Sequence, residues 1–150
     1  MRMLRHLLVV SLAVGFTVAC DDDPEAPEAE VYTAALSGGS ETPPVTTTAT
    51  GTATFTVEGN NVAYAVTITG WPAGRTVTAA HIHAAPATGQ TTGSPILHFD
   101  GGNAMTTTGG SGTIAAPQAV IDQIRAGGTY FNVHSSVNAG GEIRGTLIPQ

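Results

Sequence analysis

Two histidines stand one residue apart in the stretch AHIHAAP, His81 and His83, in a chain of 150 residues that has five histidines in all. Imidazole is the commonest side-chain ligand for zinc and copper. Residues i and i+2 of a strand leave the same face roughly 6.5–7 Å apart. Two such rings can converge on one ion at about 2.0–2.1 Å, and a third from a neighbouring strand completes a three-nitrogen set suited to Cu or Zn. His134, in YFNVHSS, is the candidate third ligand, and His98, in PILHFD, a weaker fourth. The other chemistry open to these rings is hydrogen bonding to backbone, or to acids such as Glu142 and Asp100, that holds loops at one end of the fold. A His-x-His pair alone does not choose between the two.

Other reactive groupings are thin. Ser135 and Ser136 adjoin His134, but successive strand residues point to opposite faces, and no strained G-x-S-x-G elbow occurs. The stretch DGGNA has too few oxygen ligands for a calcium loop. In GEIRG, Glu142 and Arg144 share a strand face, which predicts that Arg144 pairs with Glu142 or with a cross-strand acid. Trp71, just before Pro72, reads as a core cap at a turn.

The elements that must position these residues read as strands. The chain is rich in Thr, Gly, Ala and Val, with five arginines and no lysine. GTATFTVEGNN puts Ala53, Phe55 and Val57 on one side, and VAYAVTITGW answers with Val62, Tyr64, Val66 and Ile68, so the two runs predict a hairpin. The parity of TAAHIH sets Ala80 and Ile82 on one face and Ala79, His81 and His83 on the other. TYFNVHSS likewise opposes Phe131 and Val133 to Tyr130, Asn132 and His134. Only PQAVIDQIRAGG has helical spacing, at Val120, Ile121 and Ile124, which predicts one short helix near 117–126. Many short strands without regular βα alternation predict an all-β domain over 31–150, a single β-sandwich or Greek-key barrel.

The first twenty residues, MRMLRHLLVVSLAVGFTVAC, set Arg2 and Arg5 before an apolar run, the layout of a secretory signal too short to span a bilayer. The run ends in TVAC, which resembles the lipobox of bacterial lipoproteins, with Thr17 where Leu is usual. That resemblance implies lipidation of Cys20, attachment to a membrane of the bacterial cell envelope, and a mature chain beginning there. An unpaired cysteine in an exported chain fits that role. Residues 21–30, DDDPEAPEAE, carry six of the eleven acids and two prolines, and read as an acidic disordered tether. From Val31 onward three arginines stand against five acids, so no basic stripe is present and nucleic acid is not an expected partner.

Three blocks, ALSGGSETPPVTTTATGTATF, AHIHAAPATG and YFNVHSSVNAGGEIRGTL, occur in the order and spacing of the CHRD domain, and from Val31 to Pro149 the chain resembles that family. The resemblance implies a small extracellular β-sandwich and brings no general enzymatic activity with it. The expectation is therefore a non-enzymatic, lipid-anchored binding or adhesion module for an unknown protein or envelope ligand. The alternative is a copper- or zinc-binding envelope protein, a carrier or a redox enzyme, built on His81, His83 and His134.

Overall fold

A computed structural model describes residues 28–150. The signal-like segment, Cys20 and the acidic stretch through residue 27 lie outside the described residues. Nine strands and one helix follow in the order β1 Glu30–Ser37, β2 Thr50–Glu58, β3 Asn61–Thr69, β4 Val77–His83, β5 Pro95–His98, β6 Gly109–Ala115, α1 Gln118–Ala126, β7 Tyr130–Ser135, β8 Ile143–Thr146 and β9 Ile148–Pro149. Among the described residues no helix is long and apolar enough to cross a membrane.

All strand pairs are antiparallel, in the order β5-β4-β7-β8-β1-β2-β3-β6, with β9 joining β1. The all-β expectation holds, but the form differs from two stacked sheets. Pairing is continuous through β1, which meets β2 along its whole length and β8 through Ser37 and Arg144. The result is one curled sheet, a half-barrel whose end strands β5 and β6 do not pair with each other. Alternation tells which side chains turn inward; it does not tell which strand links the halves.

The curl lets one face of the sheet bury itself. Phe55 on β2 lies 5.3 Å from Phe131 on β7 and 6.0 Å from Phe99, ring centre to ring centre, and Tyr64 stands edge-on to Phe99 at 5.0 Å. The predicted inward residues Ala53, Phe55, Val57, Val62, Tyr64, Val66 and Ile68 are all buried, as are Ala80, Ile82, Phe131 and Val133. Helix α1 contributes Val120, Ile121 and Ile124 to the same core, and each Ile fully buried in this way stabilises the fold by roughly 1.5–3 kcal/mol. β1 begins at Glu30, one residue before the expected boundary, and its carboxylate takes two hydrogen bonds from Arg125 of α1.

Candidate functional site

The histidines lie on the face of β4 and β7 turned away from that core. In the β4–β7 register Ala79 stands opposite His134, His81 opposite Asn132 and His83 opposite Tyr130, while β5 sets His98 opposite His81. One nitrogen of each of His81, His83 and His134 falls within 4.8 Å of the others. His98 is not in that set, although its ring lies 4.7 Å from that of His81.

Backbone carbonyls fix two of the rings. His83 Nδ1 lies 2.9 Å from Gly93 O and His134 Nδ1 lies 2.9 Å from Ala139 O. A carbonyl only accepts, so both Nδ1 atoms carry the hydrogen and both Nε2 atoms keep a lone pair. His134 Nε2 accepts from His81 Nδ1 at 3.1 Å. His83 Nε2 has no partner among the described residues, although the residue is only 8% exposed. Of the two acceptor types expected for these histidines, backbone and acids such as Glu142 and Asp100, the described residues show backbone.

Burial favours the neutral form of all three rings. Burial pushes the His81 imidazole down to about 4, with its histidine neighbours adding to the shift and Asp100 opposing it. Burial also lowers His83 and His134, each partly offset by its carbonyl partner. Neutral imidazole is the form that ligates metals.

His83 is buried on what parity marks as the outer face because the chain between β4 and β5 folds over it. Its ring stacks on Tyr130 with 4.7 Å between centres, and the Arg144 guanidinium lies 3.7 Å from the centre of the Tyr130 ring. Gly93 closes this cover: it gives its N–H to the Tyr130 hydroxyl and its carbonyl to His83. A Cβ at position 93 would collide with the Ala84 carbonyl, so the close approach requires glycine.

A second polar cluster lies beside the first. Glu142, 0% exposed, accepts from Arg75 at 2.6 Å, from Ser135 at 2.7 Å and from Asn138 at 2.6 Å. Burial alone would raise its carboxyl, but Thr47, Ser135 and Asn138, together with the Arg75 charge, hold it below the ordinary range. The expected pairing of Arg144 with Glu142 or with a cross-strand acid is therefore corrected: among the described residues Arg144 makes neither. Arg75, from the turn before β4, takes Glu142, and Arg144 stacks on Tyr130. Glu41 is also buried and accepts from Asn132 at 2.7 Å; burial pushes its carboxyl up to about 7, which Arg144 opposes and Glu142 reinforces. Sequence reasoning missed Glu41 and Arg75. Their partners stand 91 and 67 residues away, beyond any local pattern. Trp71, as expected, packs on the core at its turn and gives its ring N–H to the Arg75 carbonyl.

The CHRD domain model matches residues 32–147. The chain belongs to the CHRD domain family. No curated protein and no solved structure matches it. The match spans β1 through Leu147 and so takes in both buried clusters of this CHRD domain.

Proposed function

We propose that this CHRD protein is exported, anchored in a bacterial envelope membrane through acyl chains on Cys20, and acts as a non-enzymatic binding or adhesion module. The observation that carries the binding reading is the outer face of β1, β2, β3 and β6. Thr52, Thr54, Thr67, Thr69, Ser111 and Thr113 are exposed there around the small Ala35 and Ala65. This is a broad hydroxyl-bearing surface whose charge is confined to Glu58 at the end of β2, which suits a neutral envelope ligand and not a polyanion. The non-enzymatic reading is supported by the state of the would-be nucleophile: Ser135 Oγ is buried and donates to Glu142, and His134 bonds His81 and Ala139 instead of a hydroxyl.

Anchoring draws on the N-terminal pattern, since each acyl CH₂ contributes about 0.8 kcal/mol to membrane attachment. In cell fractionation, Cys20→Ser should move the protein from the membrane to the soluble fraction; a variant that still floats with membrane vesicles overturns the anchor. Purified Cys20→Ser protein should cosediment with isolated cell-wall material, and adding Thr52→Glu with Thr67→Glu should abolish this. Unchanged sedimentation removes the hydroxyl face from the proposal.

A further inference from the structure

The geometry points to a transition-metal site in which His81 Nδ1, His83 Nε2 and His134 Nε2 bind one zinc or copper ion. It stands apart from the anchoring and adhesion reading and uses other strands of the sheet, β4 and β7 instead of β1, β2, β3 and β6. Three observations carry it. The donors are already gathered: imidazole nitrogens on one tetrahedral ion sit roughly 3.3 Å apart, and His81 Nδ1 and His134 Nε2 are 3.1 Å apart. One nitrogen of each of the three rings lies within 4.8 Å of the others, and on His83 the nitrogen left with a free lone pair is Nε2.

Next, the outer shell has the form that orients metal-binding histidines, in which the far ring nitrogen donates to a carbonyl. Gly93 O does this for His83 and Ala139 O for His134, and both aim a lone pair inward. Finally, His83 Nε2 is a buried acceptor with nothing to accept from among the described residues. A buried acceptor left without a donor is costly to keep unless a ligand answers it.

Loading needs one proton shift. The hydrogen on His81 Nδ1, which points at His134 Nε2, leaves for solvent while His81 Nε2 takes one up. The ring stays neutral and the freed Nδ1 lone pair joins those of His83 and His134. A cavity of about 320 Å³ bordered by His81, His98, Asp100 and Met105 lies on the His81 side of the cluster, while His83 and His134 do not line it. Three neutral nitrogens leave a fourth position for water.

The test uses the untagged full chain in detergent, stripped with chelator, loaded with Zn²⁺ or Cu²⁺ and desalted before elemental analysis. One equivalent should be retained, falling below a tenth in His83→Ala and in His134→Gln and staying at one in His98→Ala. Nitrogen-15 imidazole spectra should show His81 changing from the Nδ1–H to the Nε2–H tautomer with zinc, a change that loose surface binding does not produce. His134→Gln and the spectra carry the test if His83→Ala fails to fold. Less than a tenth of an equivalent of both metals in the parent chain overturns the site. So does full retention in His134→Gln, or a His81 tautomer indifferent to zinc.

Discussion

Strand β7 serves two buried polar clusters with opposite bookkeeping. Around Glu142 both carboxylate oxygens are answered, Oε1 by Arg75 and Oε2 by Ser135 and Asn138, and these bonds tie the turn before β4 to the loop after β7. Around His83 the chain gathers three neutral rings and leaves one buried nitrogen unanswered. A fully answered carboxylate such as Glu142 holds a structure together, even though Asn132 Oδ1 beside Glu41 also lacks a partner among the described residues. Gathered lone pairs instead spend stability that a ligand can return. Removing a member should therefore have different consequences in the two places.

The largest effect is expected at Arg75. Arg75→Ala strands a carboxylate that is 0% exposed and should cost about 3–5 kcal/mol in urea unfolding. A loss under about 1 kcal/mol would mean that Glu142 reaches water and the contrast fails.

Glu41 sets the next scale through pH. Its folded value, about 7, lies above the ordinary 4.5, so the folded state holds the proton more tightly. The stabilisation is full below about 4.5 and lost as pH rises through 7, on the order of 3 kcal/mol. His81, lowered to about 4, has the opposite sign: its contribution is full above the ordinary 6.5 and lost as pH falls towards 4. The two slopes oppose each other in one window. Glu41→Gln keeps the acceptor for Asn132 and removes one slope, so melting temperatures should then fall steadily from pH 7 to pH 4. A profile unchanged from the parent would place Glu41 in ordinary solvent.

His83→Phe keeps the stacking on Tyr130 and deletes the orphaned nitrogen together with one bond to Gly93. In chelator-treated protein its stability should stay within about 1 kcal/mol of the parent, in contrast to Arg75→Ala. A loss of 3 kcal/mol by chemical denaturation would show that His83 is as structural as Glu142. The exposed Arg125–Glu30 pair supplies the floor: Arg125→Ala should leave the denaturation midpoint unchanged within error, and a clear shift would mean this surface pair matters more than its exposure suggests.

How much of this was legible in the residues follows from range. The β2–β3 hairpin was readable because Phe55 and Tyr64 alternate with threonines and alanines over a short local turn, and α1 because Val120, Ile121 and Ile124 repeat at helical spacing. His81 and His83 share a face by parity alone. That His134 joins them depends on the pairing of β4 with β7 across fifty residues, which the family resemblance suggested and periodicity could not. The curl was hidden for a similar reason, since it hangs on β1 meeting the C-terminal strands, β8 at Ser37 with Arg144 and β9 at Tyr32 with Pro149 and Thr33 with Ile148. Glu142 and Arg144 looked like partners because they stand two residues apart, but Glu142 lies just before β8 and Arg144 within it. Sequence carries no sign that the turn before β4 would deliver Arg75 first.

Gly93 has a kinetic consequence. One residue supplies both the carbonyl that holds the His83 ring and the amide that holds the Tyr130 hydroxyl, so the ring cannot swing outward while the loop stays latched. Opening of the loop and release of the imidazole are then a single event with a single rate. Deuterium uptake at the Gly93 amide serves as a clock for how often the corner unlocks.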